Sequence, residues 1–238
     1  RVVAEGGGHT ASATVSVQHD RFSQLTRDGE ILFQAQESGT AGHEADPDFM
    51  ACLDVQGVLD FAREVDKEQV AFVLESAKTN RSLARYSIEH GYGLKIAHTV
   101  LAELPQKPET LSQAMTYAAA YAAAGSDARM SGCPKAVVIN SGSGNQGITC
   151  TVPVLILAEY LDSSRDKLIE ALCISELVGL LITARKDRRS ALCGAFTAAM
   201  GAGCGMVHLM GGGIEEMNLV IRTMVGNLAG IVCDGAKT

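Results

Sequence analysis

The sequence predicts an α+β protein in which a small N-terminal β-sheet portion precedes a large, mostly α-helical domain. Three patterns carry that expectation. Residues 11–18 (Ala-Ser-Ala-Thr-Val-Ser-Val-Gln) alternate small or polar with apolar at period two, as a half-buried strand requires. Asp28-Gly29 separates Arg21–Arg27 from Glu30–Gln34, and an Asp-Gly pair between two strand-like runs is a strong hairpin signal because both residues tolerate positive φ. From Val55 onward the period changes. Val58, Leu59, Ala62 and Val65, then Val70, Val73, Leu74 and Ala77, recur at spacings of three and four, which places them on one stripe of a helix.

Residues 36–48 are polar and rich in breakers, so the linker belongs there. The expected division is 1–50, a partial small β-containing domain with its linker, and 51–238, a helical domain. His43 lies in the linker and is expected in solvent. Pro108-Glu109-Thr110 opens a helix running through Ala124, with Pro in the first turn and Gly125 at its end. Its alanine-rich stretch, Ala118 to Ala124, suits close packing because Ala loses no side-chain entropy. Ser163-Ser164 with Asp166 starts a further helix over 168–184. Ala191 to Met210 runs twenty residues without Asp, Glu, Lys or Arg, long enough to suggest a membrane span. Its Gly and Ala gain little in lipid, it contains His208, and it follows Asp187-Arg188-Arg189, so a buried, closely packed helix is the better reading.

With 238 residues, 47% hydrophobic and 20% charged, the chain can bury a substantial core in one or two domains. A formal net charge of -7 and the absence of a basic run argue against a nucleic-acid surface. The chain opens at Arg1, without an initiator methionine or a basic-then-apolar leader, and reads as a piece of a longer polypeptide. Seven cysteines without a CxxC pair read as reduced cytoplasmic thiols or metal ligands and not as a disulfide framework. No zinc-ribbon or thioredoxin spacing is present, so any metal ligands must converge from distant positions.

Ser141-Gly142-Ser143-Gly144-Asn145-Gln146-Gly147 is the stretch most suited to a ligand. Its glycines permit positive φ and close backbone approach, while Ser141, Ser143, Asn145 and Gln146 offer neutral hydrogen bonds to a small polar substrate such as a carboxylate. A solvated turn capping the next helix is the alternative. Arg129, in Ser126-Asp127-Ala128-Arg129, follows the expected helix end at Gly125 and offers a fork for a carboxylate with Asp127 orienting it, or else a plain surface ion pair. Lys78, in Ser76-Ala77-Lys78-Thr79-Asn80, is either a partly desolvated general base or carboxylate clamp or an exposed helix-end lysine. His9 follows Gly6-Gly7-Gly8 just ahead of the first expected strand, suited to proton transfer or to a loop role.

Cys193 and Cys233 form the expected metal pair. A helix from Cys193 to Met210, a turn at Gly211-Gly212-Gly213 and a return helix run about 26 and 30 Å at 1.5 Å per residue, so an antiparallel hairpin brings both thiols to one end. Cys204 lies about 16 Å along the axis from Cys193, too far to share a centre. Cys204, like Cys52, Cys133, Cys150 and Cys173, reads as a small core residue.

These motifs converge on a family. Gly7-Gly8-His9-Thr10, Ser76-Ala77-Lys78 with Asn80, Ser126-Asp127-Ala128-Arg129-Met130, the stretch 140–149, Ser190-Ala191-Leu192-Cys193 and Cys233-Asp234-Gly235-Ala236 occur in one order. Together they resemble the L-cysteine desulfidase family, related to the alpha region of iron-sulfur L-serine dehydratases. The resemblance runs nearly end to end. It implies a 4Fe-4S cluster held by three cysteines with one iron open, of which Cys193 and Cys233 match here. The third is expected in an upstream segment outside this chain, and the helical domain is expected to continue past Thr238, so the fragment by itself is not expected to complete the cluster.

The implied activity is α,β-elimination from a small L-amino acid. L-cysteine would give pyruvate, ammonia and sulfide, and L-serine dehydration by the same cluster chemistry is the alternative. An open iron acts as a Lewis acid while a base removes the Cα proton. Substrate binding then falls to Ser141, Gly142, Ser143, Gly144, Asn145, Gln146, Arg129 and Asn80, and acid–base work to Lys78 or His9. A pyridoxal-phosphate eliminase is a rival, since Ser76-Ala77-Lys78, Ser143-Gly144-Asn145 and Gly211-Gly212-Gly213 superficially resemble its lysine, substrate and phosphate segments. That fold needs strands alternating with helices, which residues 55–238 do not suggest. A non-catalytic iron-sulfur or thiol sensor is the rival from another class, and the substrate-like polar loop speaks against it. Expected partners are a small amino-acid substrate and a second copy in a homodimer, with neither nucleic acid nor membrane.

Overall fold

The structure is a computed structural model and describes residues 1–15, 22–35, 53–186 and 192–228. The chain divides into two compact units, Arg1–Cys52 and Leu53–Thr238, which together make an α+β protein.

In the first unit β1 (Val2–Gly6), β2 (His9–Thr14), β3 (Gln24–Arg27) and β4 (Glu30–Gln34) form an antiparallel sheet in the order β1-β2-β3-β4. Asp28 (φ 51°) and Gly29 (φ 85°) close the expected hairpin, pairing Arg27 with Glu30. Positive φ at both central residues twists a two-residue turn in the sense that strands require. Gly7 (φ 59°) and Gly8 (φ 80°) do the same between Gly6 and His9. Gly7-Gly8 ahead of His9 are therefore a hairpin turn, and β1 is a strand beyond those the sequence predicts. His9 is the first residue of β2. The linker at 36–48, His43 and the end of the 11–18 strand run lie outside the described residues.

The second unit carries eight helices among its described residues: α1 (Val55–Glu64), α2 (Phe72–His90), α3 (Ile96–Ala102), α4 (Leu111–Met130), α5 (Gly144–Tyr160), α6 (Arg165–Arg185), α7 (Gly194–Leu209) and α8 (Ile214–Leu228). Local chemistry sets their starts. Asp54 accepts from Gly57 N–H at 2.7 Å ahead of α1, Thr110 and Gln113 form a capping box at α4, and Ser164 caps α6. No strand occurs among this unit's described residues, so the alternating architecture of a pyridoxal-phosphate dehydratase is not what they build.

Gly125 does not end α4. A Cβ there would lie 2.9 Å from Ile148 Cγ2, so Gly125 is a mid-helix gap that lets α4 approach α5. The helix continues to Met130. Beyond it Gly132 (φ 76°) takes the left-handed position, with Cys133 N–H bonded to Ala128 O at 3.0 Å and Gly132 N–H to Arg129 O at 3.2 Å, the double closure of a Schellman end.

At the centre stands α5, 13 of whose 17 residues are buried, packed against α2, α4, α6 and α7. Ile148, Val152, Val154 and Leu157 join Leu59, Leu83, Ile169, Leu172 and Ile174 in one core. The Gly- and Ala-rich α7 lies directly on α6: a Cβ at Gly201 would meet Ser175 O at 2.3 Å, and one at Gly205 would meet Ala171 O at 2.5 Å. Small residues serve backbone approach here and not lipid contact. Among the described residues no helix is long and apolar enough to cross a membrane. Helix α8 turns back along α7, since Cys204 Sγ reaches Met217 O at 3.8 Å and Gly203 faces Val220 and Met224.

Candidate functional site

The glycine-rich segment folds as a turn followed by a helix start. Ser141 (φ 51°) and Gly142 (φ 80°) occupy the centre of a two-residue turn closed on both sides, Asn140 N–H to Ser143 O at 3.1 Å and Ser143 N–H to Asn140 O at 2.9 Å. A left-handed backbone costs a non-glycine residue about 1–2 kcal/mol. The Ser141 hydroxyl, 2.7 Å from Asn140 Oδ1, offsets part of that cost. Ser143 is the N-cap of α5 without a side-chain capping bond, and the first helical bond is Gly147 N–H to Ser143 O at 3.1 Å. The N–H groups of Gly144, Asn145 and Gln146 therefore have no partner within the helix, and they sit at the positive end of its dipole, where an anion is favoured. Gln146 and Gly147 are buried. Gly142 at the tip of the turn is exposed and Ser141 and Ser143 are half-buried, so the turn faces solvent ahead of α5, while the helix start beneath it is buried.

Two asparagines hold this turn from beneath. Asn80 on α2, fully buried, donates through Nδ2 to Val138 O at 3.1 Å and to Thr151 Oγ1 at 3.0 Å, and accepts Val138 N–H at 2.8 Å. Both amide hydrogens are spent, so Asn80 clamps the chain entering the turn and does not face substrate, a correction to its expected binding role. Gly147 completes the clamp: a Cβ there would lie 2.0 Å from Val138 O. Asn140, 5% exposed, donates through Nδ2 to Glu176 O at 3.1 Å and to the Glu176 carboxylate on α6. Burial raises the Glu176 pKa from 4.5 to about 7, against the opposing pull of the Asn140 hydrogen bond. Neither Glu176 nor Asn140 is among the site residues expected from sequence, because a Glu within a long helix carries no local sign of burial.

The start of α7 lies beside that of α5. Cys193, half-buried, is the N-cap of α7, and a Cβ at the adjacent Gly194 would come within 2.5 Å of Gln146 Nε2. Gln146 Oε1 accepts from Thr183 Oγ1 at 3.1 Å, which aims the amide nitrogen toward Gly194. Arg129 comes from the last turn of α4 and not from a loop. Its side chain packs over Gly144, where a Cβ would be 2.4 Å from Nε, and its Nη1 lies 3.3 Å from Met130 Sδ. Asp127 does not orient Arg129. Two residues away on a helix, it points elsewhere and packs at Gly93, whose missing Cβ would be 2.8 Å from Asp127 Cγ. Asn145 Oδ1 is buried without a partner, the polar atom of this cluster left for a ligand or a water.

The remaining expected residues have their own surroundings. Lys78 is exposed on α2 and pairs with Glu75 at 2.8 Å. Two residues from buried Asn80, it projects from the opposite face, which is the bland alternative of an exposed lysine. His9 belongs to the sheet unit, where Nδ1 lies 2.7 Å from Asp28 Oδ2 while Asp28 Oδ1 accepts Thr10 N–H at 2.7 Å. Cys150, Cys173 and Cys204 are buried, and burial pushes the Cys173 thiol up to about 11 and that of Cys204 to about 12. Cys133 is half-buried. Cys233 and Cys52 lie outside the described residues.

The site thus lies in a helical unit whose central helix begins at a glycine turn, beside a second helix capped by a cysteine. Residues 11–238 match the serine dehydratase alpha chain family, and the chain belongs to that family. It is 43% identical to a UPF0597 protein of Oleidesulfovibrio alaskensis over 100% of this chain and 55% of the relative. Further UPF0597 proteins, of Phocaeicola vulgatus and Aeromonas hydrophila, are 35% and 37% identical over 99% of this chain and 54% of their own lengths. The chain thus spans about half the length of the curated relatives it matches. No solved structure matches it.

The family is associated with iron-sulfur clusters. Cys193 suits a thiolate ligand: it is half-buried, in no disulfide, and stands at the open start of a helix. Among the described residues no group of three or more His, Cys, Asp or Glu side chains converges on one point. Of the expected metal pair, Cys193 lies among the described residues and Cys233 outside them.

Proposed function

We propose that the chain is the substrate-binding helical portion of an iron-sulfur lyase that eliminates hydrosulfide or water from a small L-amino acid, L-cysteine first and L-serine as the alternative. The observation that carries this reading is the juxtaposition of the two helix starts, with Gln146 Nε2 of α5 against Gly194, next to Cys193. Free N–H groups of Gly144, Asn145 and Gln146 would hold the substrate carboxylate, and Arg129 over Gly144 would add positive charge from the side. Ser143 and Asn145 would orient the amino and leaving groups. The cluster, carried by the longer protein with Cys193 and Cys233 among its ligands, would supply Lewis acidity. Loss of the Cα proton and of the β substituent leaves aminoacrylate, which tautomerises to an imine and hydrolyses to pyruvate and ammonia. Lys78 and His9 remain the acid–base candidates, with the exposed Glu75 pair weighing against Lys78. The setting proposed is cytoplasmic and the assembly a homodimer.

The test is anaerobic iron-sulfur reconstitution of the full-length protein, with sulfide and pyruvate assayed from L-cysteine and pyruvate from L-serine. Turnover of either amino acid, lost with iron binding in Cys193→Ala, is expected. Thermal stabilisation by the same amino acids should vanish in Asn145→Ala and Ser143→Ala. A wild-type protein that binds no iron and is stabilised by neither amino acid overturns the reading.

A further inference from the structure

We propose that Glu176 is the positioning residue of the glycine turn: from α6 it fixes the side chain of Asn140, and through Asn140 it sets the Asn140–Ser143 turn that presents the start of α5. The inference rests on the reading of that turn as a substrate site. The chain of contacts is short and complete. Asn140 Nδ2 donates both to the Glu176 carboxylate and to Glu176 O, Asn140 Oδ1 lies 2.7 Å from the Ser141 hydroxyl, and the Asn140 backbone exchanges both hydrogen bonds with Ser143. Ser141 stands at φ 51°, a backbone that relaxes unless its surroundings hold it. The one side chain of α6 that reaches Asn140 is therefore placed to decide whether Ser141 keeps this conformation.

Glu176 differs from a neutral clamp because its charge is adjustable. Burial raises its pKa, and the hydrogen bond from the Asn140 amide opposes that rise. Two thiols feel its charge, Cys150 on α5 and Cys173 on α6, and both are raised chiefly by burial and neutral at pH 7. Ionised, the carboxylate accepts the Asn140 hydrogen bond more strongly than the neutral acid does. Burial of the charge outweighs that gain, so the turn is held less tightly as pH rises through about 7.

The experiment reads the turn without relying on turnover. Hydrogen exchange of the peptide spanning residues 138–147 is followed in the full-length protein at pH 6 and pH 8, corrected for intrinsic exchange, in wild type, Glu176→Gln and Glu176→Ala. Expected is a loss of protection of tenfold or more in Glu176→Ala, near-wild-type protection in Glu176→Gln, and a fall from pH 6 to pH 8 in wild type alone. Unchanged protection in Glu176→Ala overturns the proposal, as does a wild-type pH response retained by Glu176→Gln. In the reconstituted enzyme Glu176→Ala should raise KM at least as much as it lowers kcat, and a loss confined to kcat would contradict a positioning role. A wild type inactive on both amino acids, with the exchange pattern intact, overturns the lyase reading and leaves the clamp standing.

Discussion

Replacing Gly147 by alanine tests whether the turn and α5 are locked together by backbone contact. In an exposed helix the change would gain about 1 kcal/mol. At Gly147 the new Cβ would stand 2.0 Å from Val138 O, so Val138 has to retreat by about 1 Å or more to reach ordinary van der Waals distance. Val138 is held at both its N–H and its C=O by Asn80, at 2.8 and 3.1 Å, and a retreat of that size breaks or strains both bonds. Overpacking costs about 1–3 kcal/mol and each weakened hydrogen bond about 1 kcal/mol. Against the propensity gain, the net destabilisation is about 2–4 kcal/mol. For a protein of this size that is a fall in Tm of roughly 5–15 °C, measured by differential scanning calorimetry. Gly226→Ala is the matched control, since nothing lies within 4 Å of a Cβ there in the exposed part of α8, and it should be neutral or stabilising by up to about 1 kcal/mol. A Gly147→Ala protein as stable as wild type, beside a Gly226→Ala control that behaves as stated, would refute the close approach on which the clamp depends.

Three further outcomes follow from the same contacts. Asn80→Leu strips partners from Val138 N–H, Val138 O and Thr151 Oγ1, and should cost about 2–4 kcal/mol in urea unfolding, whereas a loss under 1 kcal/mol would mean that water replaces the amide. Glu176 has its folded pKa raised to about 7 from 4.5, so the stability it contributes is full below pH 4.5 and is lost as pH rises toward 7; over roughly 2.5 pH units at 1.36 kcal/mol each the loss is at most about 3 kcal/mol. Glu176→Gln should remove that slope, and an unchanged slope would place the titration elsewhere. His208, 1% exposed, has its pKa lowered by burial despite the 2.8 Å contact of Nε2 with Glu170, and its Nδ1 is buried without a partner. A depressed histidine gives the opposite sign: stability is present above pH 6.5 and is lost as pH falls through the folded pKa, so acid unfolding should begin at lower pH in His208→Gln.

Helix starts are written in consecutive residues, although Pro108, expected in the first turn, stands ahead of the Thr110 cap of α4. Asp54, Thr110 with Gln113, and Ser164 satisfy N–H groups three positions away, and no distant contact is needed for them to act. The same locality explains the Asp28-Gly29 hairpin. Glycine was ambiguous for the converse reason. Gly7-Gly8 turns a hairpin, Gly125 makes room for Ile148, and Gly147 lets Val138 approach. The letter is identical in each case, and only the neighbouring element says which property of a missing side chain is in use.

The sequence by itself determined that this chain is a sheet portion followed by a helical unit, that its Ser141–Gly147 segment is out of the ordinary, and that Cys193 opens a helix, because each follows from spacing along one stretch of chain. Tertiary structure alone decided which polar side chains are spent and which remain free. Asn80 is consumed by Val138 and Thr151, while Lys78, two residues earlier, faces solvent, and Glu176, one of many charged residues along its helix, ends up beneath the turn against Asn140. Burial and hydrogen-bond partnership belong to pairs of residues 36 to 71 positions apart, and no local pattern encodes a partner at that distance; packing around α5 does.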